Sequence, residues 1–259
     1  MSFVAGGIDA GSFSVKAVLL RDGEILSWAT VVAGLRSVAE VAGDAFAQAL
    51  AIARLRPEEI GHVVATGSGG SHVGVADDTA LDVRCMARGV EYHDPSITNV
   101  LDVGAEHCVA VRCSDGEAVT VARTDSCAAG AGIFLRIVAD LLELPLESMG
   151  RMAKESEEGA EIVSRCAVFA ESEIISLVHS GTKTEAIVRG VYRALATRLH
   201  PLLLRVGLQG GVAVAGGGAE DVGLVQALEG RLGARVFIPP RPATVNALGA
   251  ALIAGGNLG

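Results

Sequence analysis

The sequence predicts an α/β protein built from two copies of one motif around a shared cleft. An apolar run at residues 4–8 ends in Asp9-Ala10-Gly11, and a second apolar run follows at residues 15–20. The same order recurs 93 residues later, where Asp102-Val103-Gly104 lies between two apolar runs. An acid and a glycine at the bend between two short strands are typical of a β-hairpin. Repetition at a fixed offset indicates duplication, and the alternative is two unrelated hairpins.

The remaining elements follow from hydrophobic periodicity. Further strands are predicted at residues 24–32, 62–65, 118–123, 211–215 and 235–238. Apolar residues recur three or four positions apart at residues 38–52, 133–142 and 187–202, which predicts three amphipathic helices. We expect Pro201 to kink the third helix or to end it near His200, because proline lacks the amide hydrogen that continues a helix. A proline-rich connector precedes a last helix that starts at Thr244.

The chain contains no long linker, so we expect two subdomains that share a cleft. The first subdomain is predicted to comprise residues 1–95 together with the C-terminal helix, residues 244–259. The second subdomain is predicted to comprise residues 96–243 and to carry the two cysteines considered below.

Composition excludes several classes of function. The 259 residues include 21 basic and 30 acidic side chains, which give a net charge of −9. Because no cluster of basic residues is present, we expect neither a nucleic-acid partner nor an anionic membrane surface. The first residues lack the basic region of a signal peptide, and the apolar tail at residues 247–256 is shorter than a spanning helix requires. We therefore expect a cytoplasmic protein.

The bends of the two predicted hairpins are candidate phosphate-binding sites. The segment from Asp9 to Lys16 contains small and hydroxylated residues, which let backbone amides and hydroxyl groups approach phosphate oxygens. Lys16 adds a positive charge, and Asp9 can hold Mg²⁺ through water. Asp102 and Gly104 would form the facing half of the clamp. A third glycine-rich bend, Gly216-Gly217-Gly218, follows a predicted strand and leaves bare backbone for a nucleoside.

The five cysteines divide into two groups. Cys85, Cys108 and Cys113 lie in or beside predicted strands and helices, where a free thiol is commonly a buried small hydrophobe. Cys127 and Cys166 each stand among small residues where a helix can begin, and a helix N-terminus stabilises a thiolate or an anionic cluster. Two such cysteines per chain are half of a 4Fe–4S ligand set, which a two-fold dimer would complete. Buried structural thiols, or Cys127 as a nucleophile, remain the alternatives.

Taken together, these motifs resemble a known family. The order of two phosphate hairpins and a nucleoside loop is similar to the actin/hexokinase-like ATPase fold, which is ribonuclease H-like. The segments GIDAGSFSVK, SCAAGAGIFL and CAVFAESEIIS resemble the BadF/BadG/BcrA/BcrD-type ATPases. These comprise 2-hydroxyacyl-CoA dehydratase activators and ATPase subunits of benzoyl-CoA reductase, and the resemblance covers essentially the whole chain.

The resemblance implies the following function. An ATPase in a homodimer, or in a heterodimer with a related ATPase subunit, would bind Mg·ATP or ADP. The dimer would hold one bridging 4Fe–4S cluster through Cys127 and Cys166. ATP hydrolysis would drive a low-potential electron, received from ferredoxin or flavodoxin, into a partner iron–sulfur CoA-ester reductase or dehydratase.

The resemblance also assigns site residues. Asp9 and Asp102 would be catalytic. The residues implied to bind the nucleotide are Gly11, Ser12, Phe13, Ser14, Lys16, Gly104, Ala105, Gly216, Gly217 and Gly218.

The second hairpin departs from the activator pattern. Dehydratase activators usually carry D-[IV]-G-G-Q-D there, whereas this chain has Asp102-Val103-Gly104-Ala105-Glu106-His107. Together with Ala87-Arg88-Gly89, this sequence looks more like the small ATPase subunit of benzoyl-CoA reductase, which is the function we predict. A homodimeric activator of a 2-hydroxyacyl-CoA dehydratase is the alternative. From other classes, a small-molecule kinase of the same fold (type III pantothenate kinase or sugar kinase) or a nucleotide-binding scaffold without turnover remains open.

Overall fold

Two β-sheets form the framework of the protein. The computed structural model describes residues 3–124, 131–163 and 167–256. The first sheet has the strand order β3-β2-β1-β4-β5, and the second has the order β8-β7-β6-β9. The strands are β1 (Val4–Ala10), β2 (Ser14–Arg21), β3 (Glu24–Val32), β4 (His62–Thr66), β5 (Asp78–Thr79), β6 (Ile97–Val103), β7 (Cys108–Ser114), β8 (Glu117–Arg123) and β9 (Gly211–Ala215).

The predicted duplication is confirmed strand by strand. In each sheet a hairpin leads into a third antiparallel strand, and the first strand of the hairpin pairs in parallel with a later one. Strands β1, β3, β6 and β8 start at residues 4, 24, 97 and 117, so the second pair repeats the first at the offset seen in the sequence. The first and second bends therefore occupy equivalent places in two like sheets.

Eight α-helices in the described part of the chain cover and connect the sheets. They are α1 (Val38–Ala53), α2 (Asp82–His93), α3 (Ala131–Leu141), α4 (Leu146–Glu155), α5 (Ala167–His179), α6 (Thr184–Val206), α7 (Val222–Leu232) and α8 (Val245–Gly256). Helix α1 begins at a capping box, in which Ser37 accepts a hydrogen bond from the Glu40 amide and the Glu40 carboxylate accepts one from the Ser37 amide. Its apolar stripe packs on the first sheet, as its periodicity predicts.

Helices α2 and α8 lie between the two sheets. Helix α8 contacts β1, β2 and β4 of the first sheet, whereas Val83, Met86 and Val90 of α2 pack against residues of the second sheet. The two helices also contact each other. Our division into two subdomains remains a proposal, and the packing of α8 on the first sheet supports its assignment to residues 1–95. The packing of α2 makes it the link between the sheets.

The structure differs from expectation at two elements. Of the two outcomes expected at Pro201, an end of the helix near His200 is wrong, because α6 continues through Pro201 to Val206. A kink at Pro201 remains a prediction. Leu202, Leu203 and Val206 are almost fully buried, so core packing holds the last turn although Pro201 removes one backbone hydrogen bond. Residues 235–238 form one bridge, between Phe237 and Ala213, and no strand. The proline pair that follows has no amide hydrogens with which to extend the ladder.

Candidate nucleotide-binding site

The two hairpin bends have the same backbone geometry. The Gly11 amide donates to the Ser14 carbonyl at 3.2 Å in the first bend, and the Gly104 amide donates to the His107 carbonyl at 3.0 Å in the second. In register, Asp9 lies opposite Lys16, and Asp102 lies opposite Val109. A backbone hydrogen bond therefore closes each bend. Each hairpin also places one carboxylate near the end of its first strand.

A glycine covers each carboxylate. Gly67 follows β4 and Gly216 follows β9, both with φ near +80°. A Cβ on Gly67 would lie 2.5 Å from Asp9 Oδ1 and 2.7 Å from the Ala10 carbonyl oxygen. A Cβ on Gly216 would collide with Asp102 Oδ1 and lie 2.6 Å from the Val103 carbonyl oxygen. Only glycine can adopt this backbone conformation and approach a carboxylate so closely. The duplication therefore includes the glycine that packs on each acid.

The two carboxylates differ electrostatically. Lys16 Nζ lies 3.7 Å from Asp9 Oδ2 and opposes the effect of burial, which raises the pKa of Asp9. Among the described residues, the side-chain hydrogen-bond donor to Asp102 is the Asn246 amide nitrogen, at 3.5 Å. Burial, reinforced by the nearby Asp9 charge, raises the pKa of Asp102 to about 6. A carboxylate with such a pKa can accept a proton near neutral pH, and the Lys16-paired Asp9 is suited to binding a cation.

The structure brings the sequence-predicted nucleotide residues together. They line a cavity of about 1400 Å³ between the two sheets. The predicted residues in its wall are Asp9, Gly11, Ser12, Phe13, Ser14, Lys16, Asp102, Gly104, Ala105, Gly216, Gly217 and Gly218. Glycine bends, hydroxyl groups, a lysine and two acids in one cleft are the groups that a magnesium–nucleotide complex needs, so these residues fit that ligand. Their individual roles remain predictions.

Several residues of the cavity wall were not found from the sequence. Asp82 and Arg123 form a bidentate ion pair in which both nitrogen–oxygen distances are 2.8 Å. Burial raises the pKa of Asp82, but the hydrogen bonds and the charge of Arg123, together with backbone hydrogen bonds, outweigh it and hold that pKa below its usual value. Arg136 and Arg241 also line the cavity, and the Arg241 guanidinium lies 3.9 Å from the Trp28 ring centroid. These residues are far apart in sequence and belong to no local motif, so periodicity could not identify them.

The structure describes three of the five cysteines. Cys127 and Cys166, the predicted cluster ligands, lie outside those residues. Helices α3 and α5 begin at Ala131 and Ala167, close behind them in sequence, as predicted. Cys85, Cys108 and Cys113 are free and buried, which confirms their predicted burial, and desolvation raises the pKa of each to about 11. Within residues 3–124, 131–163 and 167–256, no group of three or more His, Cys, Asp and Glu side chains could hold a metal ion.

Comparison with known proteins decides the family. Residues 7–254 match the BadF/BadG/BcrA/BcrD ATPase family. The chain belongs to this ATPase family. The match spans both hairpins and the nucleoside loop, so the predicted resemblance is confirmed.

Relatives of the ATPase align along nearly its whole length. The activator of lactoyl-CoA dehydratase from Anaerotignum propionicum is 37% identical over 249 residues, 96% of each chain. The (R)-2-hydroxyglutaryl-CoA dehydratase activating ATPase of Acidaminococcus fermentans is 34% identical and covers 98% of both chains. One of the subunits of benzoyl-CoA reductase from Thauera aromatica is 32% identical, over 96% of this chain and 92% of the relative.

Solved structures of relatives share the fold of the ATPase. The A. fermentans (R)-2-hydroxyglutaryl-CoA dehydratase component A superposes with a TM-score of 0.94, at 33% identity and 98% coverage of both chains. The activator of the 2-hydroxyisocaproyl-CoA dehydratase from Clostridium difficile, solved with bound ADPNP, has a TM-score of 0.91, 32% identity and coverage of 98% and 94%. A Thermus thermophilus ROK hexokinase, at 17% identity and a TM-score of 0.53, shares the fold alone. The predicted actin/hexokinase-like fold is confirmed.

One expectation about membranes can also be compared with the structure. Among the helices of the described residues, none has both the length and the apolar character that crossing a bilayer demands.

Proposed function

We propose that this ATPase activates a partner CoA-ester enzyme by coupling ATP hydrolysis to the delivery of a low-potential electron. The observation that carries the proposal is the pair of equivalent carboxylates, Asp9 and Asp102, at the ends of facing hairpins in a family of ATPases. Of the partner systems, we favour a 2-hydroxyacyl-CoA dehydratase, because the relatives of 37% and 34% identity activate such enzymes. The protein would then act as a homodimer, with ferredoxin or flavodoxin as electron donor.

The two carboxylates have different tasks in the proposed reaction. Asp9, beside the Lys16 ammonium, would hold the magnesium ion of the nucleotide through water, and bound magnesium would neutralise phosphate charge. Asp102, whose pKa is raised to about 6, would accept the proton of the attacking water at neutral pH. The backbone amides of the bends would orient the phosphates, which is most of what phosphoryl transfer asks of a protein.

A 4Fe–4S cluster shared by two copies of the chain, with Cys127 and Cys166 as ligands, completes the proposal. Such a cluster supplies a one-electron carrier when it is bound. Helices α3 and α5, which begin shortly after these cysteines, contact each other and so would move together when the cleft changes shape.

Anaerobic purification tests the cluster. We expect about four iron and four sulfide ions per two chains, since two thiolates per chain make one four-cysteine site. Cys127→Ala and Cys166→Ala should each abolish iron binding. Cys108→Ala is the matched control, because this buried thiol has a pKa of about 11 and should leave the iron content unchanged. Normal iron in either ligand variant would refute the ligand assignment.

A second candidate, the small ATPase subunit of benzoyl-CoA reductase, is the function that the sequence motifs predict, and one observation favours it. The second hairpin reads Gly104-Ala105-Glu106-His107 where activators usually carry Gly-Gly-Gln-Asp, and Glu106 and His107 are exposed. This candidate would require a related ATPase chain to form its dimer. Sedimentation of the isolated protein separates the candidates: an iron-containing homodimer supports the activator, and an iron-free monomer supports the reductase component.

Turnover separates both candidates from the other classes. Phosphate release from Mg·ATP without an added acceptor is expected of the ATPase. A kinase would release phosphate only slowly until its acceptor alcohol was supplied, and a scaffold would release none. The family match favours the ATPase interpretation over both.

A further inference from the structure

Arg136, on α3, lines the cavity and lies against Phe13 in the bend of the first hairpin. We propose that Arg136 binds the terminal phosphate of ATP and thereby distinguishes a nucleoside triphosphate from a diphosphate. The inference rests on the proposed function, since it assigns a further residue to the same nucleotide site. Its basis is the attachment of α3 to one hairpin, the contact of Arg136 with the other, and the engagement of the neighbouring cations elsewhere.

Helix α3 is attached directly to the second hairpin. The Gly132 amide donates to the Gly104 carbonyl at 3.2 Å, and the Ile133 amide donates to the Ala105 carbonyl at 3.0 Å. A Cβ on Gly132 would lie 2.9 Å from the Ala105 Cα, so helix and hairpin meet backbone to backbone. Arg136 lies about one helical turn after these contacts. The second hairpin therefore fixes the position of the Arg136 backbone.

The side chain of Arg136 reaches the tip of the first hairpin. Its Cζ lies 5.4 Å from the centroid of the Phe13 ring, within the range of a cation–π contact. Both residues line the cavity, and Phe13 is 46% exposed. Arg136 thus contacts the first hairpin from a helix whose backbone is bonded to the second hairpin.

Two other cations of the cavity wall are already engaged in ion pairs. Lys16 lies by Asp9 at 3.7 Å, and Arg123 is held by Asp82 through two contacts of 2.8 Å. Arg136 has no carboxylate within ion-pair distance among the residues that the structure describes, although Asp140 lines the same cavity one turn later. Arg136 can therefore engage a new anion without breaking an ion pair that the structure describes.

A phosphate group is a stronger partner for the Arg136 guanidinium than the Phe13 ring is. A guanidinium presents a planar fork of donors that matches a phosphate group with two parallel hydrogen bonds. Its contact with an exposed ring is weak by comparison. The ring of Phe13 therefore orients the side chain without competing strongly with a phosphate. A triphosphate offers one more phosphate group than a diphosphate, so the contact should act on the triphosphate alone.

Two dissociation constants test this inference, one for Mg·ADP and one for the Mg complex of the non-hydrolysable analogue ADPNP. In Arg136→Gln we expect the ADPNP constant to rise about tenfold, the loss of one charge-assisted contact, while the ADP constant changes less than about twofold. Arg136→Lys, which keeps the charge without the fork, should give an intermediate ADPNP constant. Arg231→Gln, an exposed arginine in the last turn of α7 and outside the cavity, is the matched control and should leave both constants unchanged.

The ring contact provides a second, independent variant. Phe13→Leu removes the ring and should lower selectivity for the triphosphate less than Arg136→Gln does, and Phe13→Tyr should retain more selectivity than Phe13→Leu. The readout is the ratio of the two constants, so partial unfolding, which weakens both ligands alike, cannot imitate the expected result. An unchanged ratio in Arg136→Gln would overturn the inference. A wild-type protein that binds neither nucleotide would overturn the proposed function itself.

Discussion

At the scale of single residues, the proposed chemistry depends on two carboxylates. They occupy equivalent places in the two sheets but have different neighbours. Asp9 faces Lys16, whereas the equivalent partner position of Asp102 is taken by Val109, an apolar residue. In the proposed function, the same strand position would provide a cation-binding acid in one half and a proton-accepting acid in the other. Burial raises the pKa of both acids, but Lys16 opposes this effect at Asp9, whereas the nearby Asp9 charge reinforces it at Asp102.

We predict that Asp102→Asn slows turnover strongly and stabilises the protein at neutral pH. The folded pKa of about 6 lies above the ordinary value of 3.8, so at pH 7 folding must keep a charge in a place that disfavours it. Asparagine removes that charge, and the free energy of unfolding should rise by about 1–3 kcal/mol. The rate of phosphate release should fall about 100-fold or more, as expected for loss of a general base.

The pH dependence gives the check on this prediction. Between about pH 4 and pH 6 the folded wild-type protein binds more protons than the unfolded chain, so its stability should fall as the pH rises through this window. Below about pH 4 the carboxyl is protonated in both states, and the gain from Asp102→Asn should vanish. Urea unfolding at about pH 4 and pH 7 measures both values, and an equal gain at the two pH values would contradict the explanation. Wild-type turnover should rise with pH through about 6.

At the scale of secondary-structure elements, the nucleoside loop depends on one backbone conformation. Gly216 follows β9 with φ +80°, its amide donates to the Pro242 carbonyl at 2.9 Å, and Asp102 lies directly against its Cα. The loop is thus tied to the second hairpin and to the segment before α8.

We predict that Gly216→Ala lowers the free energy of unfolding by about 2–4 kcal/mol, because the new Cβ meets Asp102 and the Val103 carbonyl in a backbone conformation that disfavours alanine. Nucleotide affinity should fall with it. Gly230→Ala, in α7 with open space around its Cα, is the control and should stabilise by about 0.5–1 kcal/mol through helix propensity. Chemical denaturation compares the two, and equal stabilities would show that Gly216 is not constrained.

Pro201 gives a prediction of the opposite sign. It interrupts the hydrogen bonding of α6 at an exposed position, while the turn beyond it is held by buried leucines. Pro201→Ala restores the amide hydrogen that can bond to the Thr197 carbonyl and should raise the thermal midpoint, by an amount corresponding to about 1 kcal/mol. A lower midpoint would show that the proline shapes a bend that the packing requires.

At the scale of the whole molecule, two helices hold the halves together through a reciprocal contact. A Cβ on Gly89 of α2 would collide with the Val245 carbonyl of α8, and a Cβ on Gly249 of α8 would collide with the Cys85 carbonyl of α2. In each contact, a glycine of one helix packs against a backbone carbonyl group of the other. Helix α8 also packs on the first sheet and α2 on the second, so this crossing sets how the hairpins face each other.

We predict that Gly249→Ala forces α2 and α8 apart and destabilises the protein by about 1–3 kcal/mol, the usual cost of overpacking. Nucleotide affinity should also fall, although the substitution lies outside the cavity wall, because the two hairpins must face each other to enclose one ligand. Calorimetric titration with Mg·ADP and urea unfolding give the two values. Gly43→Ala in α1, with nothing within 4 Å of its added Cβ, is the matched control: it should leave nucleotide affinity unchanged and raise the free energy of unfolding by about 0.5–1 kcal/mol through helix propensity.

Local patterns in the sequence determined the hairpins, the duplication and the chemistry of the cleft. Strand β3 was predicted with the bounds that the structure has, and both bends were found from an acid and a glycine between short apolar runs. These features could be predicted because strand alternation, helical periodicity and glycine at bends depend on neighbours in the chain. The family resemblance rests on the same contiguous segments.

Only the tertiary structure decided what depends on residues distant in sequence. It determined that α2 packs on the second sheet, that α6 continues past Pro201, and that residues 235–238 form one bridge. It also brought Asp82, Arg123 and Arg136 to the cavity wall. Burial holds the end of α6 beyond Pro201, and charge pairing joins Asp82 to Arg123. Both depend on segments distant in sequence, because the free energy of packing is gained only when the whole chain has folded.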